Sequence, residues 1–316
     1  MSPQRRRLKQ LLPIAVPFAF YVIVSLIAHT LLNTIVSYIV SLSQKTGTDF
    51  SNTVNEIADQ YLMLSYALGA LLLSLTLWQA DRALYRSVPF WNDLRKPFWQ
   101  LDRARKEELL RGLSSGTLAA LVYLVFFAIS GQLSYLGVLF TSMIGTPSFP
   151  LFFMDIASLL ALLVCEEFLF RHKILRGLLT LMPESAAIVL MSALHILARH
   201  WQFHLELFDY INLACLNLVL GYFYVKSGKC HRGLGFLAAM LLLLHNVGGL
   251  ALWGYESPSF FQFKVGPRSS PLVTGGTNGP LSGLGLFGIL AIFALGSFLT
   301  WKRELEAKRQ GSARDP

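Results

Sequence analysis

The feature that most limits how this chain folds is a series of long, nearly uncharged apolar blocks. Crossing about 30 Å of bilayer hydrocarbon takes roughly 20 residues of helix. The blocks lie at about 11–36, 61–78, 114–140, 151–170, 184–198, 207–225, 233–253 and 281–301. They lack the alternation that a lipid-facing barrel needs, and a helix satisfies its own backbone groups in lipid. The sequence therefore predicts an all-α, polytopic membrane protein of about eight transmembrane helices.

Composition agrees with this fold class. Charged residues make up 14% of the 316 residues, whereas a soluble domain of this size carries about 25%. We expect one membrane-embedded domain over residues 1–303, followed by a disordered tail over residues 304–316.

Lysine and arginine residues indicate which loops face the cytoplasm. They are densest in 79–112 and cluster again in 171–183 and 226–232, whereas 141–150 has none. This alternation predicts a multi-pass protein of a cell membrane with both termini in the cytoplasm. The composition favours a bacterial inner membrane.

The net charge of +9 would also suit a protein that binds nucleic acid. The excess lies in the loops where the positive-inside rule places it. Segment 79–112 also mixes basic residues with two Pro-Phe-Trp triplets, which is typical of a headgroup-level element. We therefore predict a cytoplasmic interfacial segment at 79–112, with the lipid bilayer and not nucleic acid as partner.

Ionisable residues inside apolar blocks are functional candidates because burying them in lipid is costly. Glu166 and Glu167 lie late in the fourth block, and Arg171 follows. Glu167 and Arg171 are four residues apart, so they share a helix face and can form an ion pair. Glu166 points about 100° away and has no partner at that spacing. It is the carboxylate that we expect to be available for proton transfer, unless the pair is simply a charged helix end at the interface.

Two histidines lie at a comparable depth. His195 comes eleven residues after the start of the fifth block, and His245 twelve residues after the start of the seventh. At 1.5 Å per residue, both lie roughly 15–20 Å from the cytoplasmic ends of their helices. Glu166 belongs to a helix that runs the other way and is expected near the same level. We predict that these three residues share one polar pocket, which Asn212 and Asn217 of the sixth block are also candidates to line.

This set of residues suits hydrolysis. A partly desolvated glutamate can deprotonate water, and histidine can orient that water or stabilise an oxyanion. Two histidines and a glutamate can also bind catalytic zinc, but no HExxH-type pairing occurs. We predict no metal and no cofactor, with zinc as the alternative. A second candidate metal cluster comprises His200, His204, Glu206 and Asp209.

The Glu-Glu-x-x-x-Arg sequence at 166–171, a histidine on the next helix and a later membrane histidine resemble the CPBP family of CAAX proteases and bacteriocin-processing enzymes. The stretch 221–228 is also similar to the family's pattern. These proteins are intramembrane glutamic endopeptidases, and the resemblance covers a core of about 149–253.

The resemblance implies a role for each residue. Glu166 would be the catalytic base, with His195 and His245 as further catalytic residues and Glu167 and Arg171 in support. The chain departs from the family pattern at Met191, where the family has Phe. It departs again at Gly249, where the family has Asn or Asp; Asn246 is the nearby substitute, although it points about 100° from His245.

Three functions fit this sequence. The first is an intramembrane endopeptidase acting on a peptide or protein, with or without a lipid group, in CAAX-type or propeptide processing. The second is a non-catalytic relative, an immunity or scaffold protein, which Gly249 favours. The third is a proton-coupled transporter that uses the Glu and His residues as a relay.

Overall fold

Helices account for most of the residues that the computed structural model describes, which are 3–42, 64, 67–69, 71–72, 102–138, 149–200, 205–252, 259–266 and 269–312. Outside 64–72, the described α-helices are, in chain order, α1 (Pro3–Leu42), α2 (Arg103–Ile129), α3 (Phe149–Glu166), α4 (Arg176–Leu179), α5 (Glu184–His200), α6 (Leu207–Ser227), α7 (His231–Leu241), α8 (Pro271–Thr274) and α9 (Leu284–Ser312). Two π-helices, π1 (Glu167–Leu175) and π2 (Leu242–Val247), continue α3 and α7. Short 3₁₀ turns at Gly276–Asn278 and Pro280–Ser282 precede α9.

Four helical segments in this part of the chain are long and apolar enough to cross a membrane: Arg103–Ile129, Phe149–Leu179, Leu207–Ser227 and Leu284–Arg303. A shorter apolar stretch, Ile14–Ala28, lies within α1. The chain is therefore a helical membrane protein, and four of the eight predicted spans are long apolar helices in the described residues. The predicted second block, 61–78, falls mostly outside the described residues.

The predicted fifth and seventh blocks form helices that are shorter than the roughly 20 residues of a full membrane span. Helix α5 has 17 residues, and the continuous helix formed by α7 and π2 ends at Val247. That helix stops where Gly249 adopts a positive φ of 70°, a conformation that favours glycine and commonly ends helices. The apolar sequence continues past this point, which is why the helix end was not evident from hydropathy.

The fold is not purely helical. Strands β1 (Leu133–Val138) and β2 (Phe261–Val265) pair antiparallel, with Leu133 opposite Val265 and Tyr135 opposite Phe263. The predicted third block, 114–140, overran the helix because α2 ends at Ile129. Gly131 turns the chain there, with a φ of 70°, and β1 follows.

The C-terminal helix is longer than predicted. Helix α9 continues to Ser312, through most of the stretch 304–316 for which we expected disorder. Residues after Lys302 include several good helix formers, Glu, Leu, Ala, Lys and Arg. Lys302 Nζ lies 4.0 Å from Glu306 Oε1 one turn later.

The predicted interfacial segment 79–112 is described only in part. Residues 79–101 lie outside the described residues, and 103–112 form the start of α2.

Helices α2 and α7 pack closely because glycines lie at their contact. A Cβ atom at Gly112 would lie 2.1 Å from the Arg232 carbonyl oxygen, and one at Gly116 would lie 2.2 Å from the Phe236 carbonyl oxygen. Small residues four apart allow membrane helices to approach in this way.

Two clusters of buried apolar side chains form the core. The larger includes Tyr123 and Phe127 of α2 with residues of α3, α6, α7 and α9. The smaller joins α1 to π1 and α5 through residues such as Ile14, Phe170 and Met191, and it contains Tyr21. This second cluster brings α1 against the charged residues of π1.

Candidate active site

Glu166, the last residue of α3, is buried and held by donors on both carboxylate oxygens. The Tyr21 hydroxyl of α1 donates to Oε1, and Arg199 Nη2 of α5 donates to Oε2 at 2.5 Å. Glu166 and Arg199 are each only 2% exposed. The carboxylate is therefore fixed in orientation by two other helices and neutralised by a buried guanidinium.

Glu167 and Arg171 form a second buried pair within π1. Glu167 Oε1 lies 3.2 Å from Arg171 Nη1, as their spacing of four predicts. The other end of the guanidinium, Nη2, donates to Asn217 Oδ1 of α6. The site thus contains two carboxylates and two guanidinium groups, and their formal charges cancel.

His195 is oriented by the same asparagine. Its Nδ1 atom lies 2.7 Å from Asn217 Oδ1, an atom that already accepts from Arg171. An oxygen can only accept, so Nδ1 carries the proton and Nε2 carries the lone pair in the neutral ring. Phe170 stacks on the imidazole, with ring centroids 4.2 Å apart. These contacts point Nε2 at Glu166 Oε2, 3.6 Å away.

The position of Arg199 differs from what the sequence indicated. The sequence shows no partner for Glu166 at a spacing of four residues, and the predicted fifth block, 184–198, ends one residue before Arg199. Helix α5 continues to His200, which keeps Arg199 on the helix, one turn beyond His195. Its ion pair with Glu166 joins residues 33 positions apart, a contact that spacing within one helix does not reveal.

His245 and Asn246 belong to a different polar cluster. His245 Nε2 lies 3.4 Å from Asp155 Oδ2 of α3, and its Nδ1 lies 2.9 Å from the Leu250 carbonyl oxygen. Asn246 Nδ2 donates to the same Asp155 oxygen at 2.5 Å. All three side chains of this cluster are buried.

The two clusters lie on the same face of α3 but at different levels. Asp155 and Glu166 are eleven residues apart, which is about three turns and about 16 Å of helix. Leu159 and Leu162 lie between them on that face and are buried in the larger core cluster. The single pocket that we predicted for Glu166, His195 and His245 is therefore divided in two, because His245 packs at the level of Asp155.

Gly249 offers no room for the side chain that the family pattern has there. Its φ is 70°, and a Cβ atom would lie 2.5 Å from Ser259 Oγ and 2.8 Å from the Phe261 carbonyl oxygen. The polar contacts of His245 include Asp155 of α3 and the Leu250 carbonyl oxygen.

The polar residues near the start of α6 bind other parts of the protein. Asp209 accepts from the Glu206 backbone N–H at 2.8 Å and from Ser282 Oγ at 2.6 Å, and His200 Nδ1 lies 2.7 Å from the Tyr210 hydroxyl. Among the described residues, no three His, Cys, Asp or Glu side chains are grouped to hold a metal ion. His204 lies outside those residues, and Asn212 donates to the Leu281 and Gly283 carbonyl oxygens.

Three residues in these clusters were not singled out from the sequence. Arg199 had a signal, because it lies four residues after His195 and so on the same face of a helix. Asp155 also had one, since it is a carboxylate within the apolar block 151–170. Tyr21 had none: a tyrosine in an apolar helix does not indicate which helix it contacts.

Apart from Tyr21, the site lies within a region of the chain that matches a known protein family. Residues 146–247 match the family described as Type II CAAX prenyl endopeptidase Rce1-like. The chain contains an Rce1-like domain of the CPBP family. The matched range begins just before α3 and ends with π2, so this Rce1-like domain includes both polar clusters. No curated protein matches the chain. The family is a protease family that acts on proteins and peptides at membranes.

Proposed function

We propose that the Rce1-like domain is an intramembrane endopeptidase in which Glu166 activates a water molecule. The observation that carries this proposal is the arrangement of Glu166 Oε2 and His195 Nε2, two buried acceptor atoms 3.6 Å apart. No described residue donates a hydrogen bond to His195 Nε2. A water molecule can donate one hydrogen to each of the two acceptors while its oxygen faces a peptide carbonyl.

The reaction needs no change of oxidation state. The water oxygen attacks the carbonyl carbon as Glu166 takes one of its protons. The carbonyl oxygen becomes negative, the C–N bond then breaks, and the leaving amine receives the proton from Glu166. His195 holds the water in place, and Asn217 keeps its ring in the required tautomer. These steps use side chains of this chain alone.

In this proposal the chain is a multi-pass protein of a bacterial inner membrane with cytoplasmic termini. The substrate is a peptide segment that enters from the cytoplasmic side, in CAAX-type or propeptide processing. The basic residues that follow Arg171, namely Lys173 and Arg176, and those in 226–232 support that side, because lysine and arginine concentrate near the cytoplasmic ends of membrane helices.

One observation favours a second function, that of a non-catalytic scaffold or immunity protein. His245 contacts Asp155, which lies about three turns of α3 from Glu166. Gly249 has no room for a polar side chain. A chain that had lost catalysis would tolerate both features.

The test is cleavage of a fluorogenic peptide library by the purified protein in lipid nanodiscs. The control is the double variant Glu166→Gln with Arg199→Gln, which removes the base together with the cation that contacts it. We expect the wild-type protein to cleave at least one peptide and the folded double variant to cleave none. Cleavage by both proteins would exclude Glu166 as the base, and cleavage by neither would support the scaffold function.

A further inference from the structure

The proposed reaction depends on which of its two oxygens Glu166 turns towards the water. The terminal torsion of a glutamate side chain is broad, so the side chain itself does not fix the plane of the carboxylate. Oε2 lies 2.5 Å from Arg199 Nη2 and 3.6 Å from His195 Nε2, both on α5. Oε1 accepts a hydrogen bond from the Tyr21 hydroxyl of α1. The two oxygens are therefore held by different helices.

The Tyr21 side chain is itself fixed by aromatic packing. It is only 1% exposed, and its ring makes an edge contact with Phe170, with ring centroids 5.3 Å apart and an interplanar angle of 82°. Phe170 also stacks on the imidazole of His195, with ring centroids 4.2 Å apart. Tyr21 thus contacts the proposed base directly, and Phe170 links it to the histidine that orients the water.

A second contact sets the position of α1. A Cβ atom at Gly177, in the helix that follows π1, would lie 2.9 Å from Ile14 Cγ1, so the glycine allows α1 to approach closely. Ile14 and Tyr21 are seven residues apart, which places both on one face of α1 about two turns apart. Helix α1 precedes the residues that match the family, 146–247. A part of the chain outside the Rce1-like domain therefore contributes a donor to the site.

We infer that Tyr21 is a positioning residue, which holds the Glu166 carboxylate so that Oε2 and not Oε1 receives the proton of the attacking water. Tyr21 keeps its own proton throughout. The water oxygen bonds to the carbonyl carbon, and the proton that it loses moves to Oε2. Without the Tyr21 hydroxyl the carboxylate can turn about its terminal torsion, and a misplacement of about 1 Å can cost about 10²-fold in rate. This inference rests on the proposed function, since it assigns a residue to the same reaction.

The test measures kcat, KM and the melting temperature of Tyr21→Phe, with a peptide that the wild-type protein cleaves. Tyr123→Phe is the matched control, because Tyr123 is also 1% exposed and its hydroxyl donates to the Thr274 carbonyl oxygen at 3.1 Å. Each change removes one buried hydroxyl, so a purely structural role would make the two variants alike. We expect Tyr21→Phe to lower kcat by about 10-fold or more, with KM within about threefold of the wild-type value. Tyr123→Phe should keep the wild-type kcat. An unchanged kcat in Tyr21→Phe, or an equal loss in both variants, would overturn the inference.

A second replacement keeps the test informative if Tyr21→Phe does not fold. Tyr21→p-aminophenylalanine keeps the ring and places an N–H donor where the hydroxyl was. We expect its kcat to stay close to the wild-type value, because the contact with Glu166 Oε1 is retained. A loss of about 10-fold or more in this folded variant would refute the role of the donor. Failure of the wild-type protein to cleave any peptide is a different result, because it removes the proposed function as well. Cleavage that needs Glu166 but not the Tyr21 hydroxyl would remove this inference alone.

Discussion

Replacing Glu166 with Gln should destabilise the protein as well as remove the base. From the sequence alone we expect this variant to remain folded, because a neutral amide is less costly to desolvate than a carboxylate. In the structure its carboxylate is 2.5 Å from Arg199, and both residues are 2% exposed. The substitution therefore removes the carboxylate that a buried guanidinium contacts at 2.5 Å.

The expected cost follows from that geometry. Removing one partner of a buried ion pair costs about 3–5 kcal/mol. A direct estimate agrees, since two unit charges about 4 Å apart at an effective dielectric constant of about 20 attract by about 4 kcal/mol. For a protein of this size such a loss lowers the melting temperature by on the order of 5–10 °C. Adding Arg199→Gln removes the cation of this pair as well and should restore most of the difference.

Thermal unfolding in detergent measures this directly for the wild type, both single variants and the double variant. An exposed pair provides the matched control. Arg103 and Glu107 lie 3.3 Å apart on α2 but have side chains 95% and 50% exposed, so Glu107→Gln should cost less than about 1 kcal/mol. If Glu166→Gln melts with the wild type and Arg199→Gln brings no recovery, the pair is not a buried ion pair and the reasoning is wrong.

Four further predictions follow from the fold and the site. Glu167→Gln strands Arg171 and should lower the melting temperature, while the double change with Arg171→Met recovers only part of it because the hydrogen bond to Asn217 is also lost. Gly249→Ala should cost at least about 1–2 kcal/mol, seen as a lower melting temperature, since its φ is 70° and Cβ would meet Ser259 Oγ at 2.5 Å; wild-type stability would contradict the turn. Single cysteines placed in 79–112 should react only with reagents that reach the cytoplasm, and labelling from outside would reverse the topology. Peptide cleavage should survive a chelator, and loss of activity that zinc restores would show a metal enzyme.

The helical fold was largely predictable, but the ends of its helices were not. Long apolar blocks with few charges have few other solutions in a bilayer, so the helices at 103–129, 149–179, 207–227 and 284–303 follow from hydropathy. Hydropathy does not detect the turn after Ile129 or the end of π2, because apolar sequence continues through both. Gly131 and Gly249, both with positive φ, lie at those two helix ends. After Gly131 the chain forms β1, which pairs with the distant strand β2.

The sequence by itself determined which polar residues the membrane helices carry and which of them pair within one helix. The Glu167–Arg171 contact is of this kind, because a spacing of four places both side chains on one face whatever the neighbouring helices do. Contacts between helices depend also on the level and rotation at which each helix packs. Only the tertiary structure could therefore decide that Glu166 meets Arg199 and Tyr21, and that His245 meets Asp155 instead of Glu166. Those contacts arise from the packing of α1, α5 and π2 against α3 and π1, and no spacing along the chain encodes them.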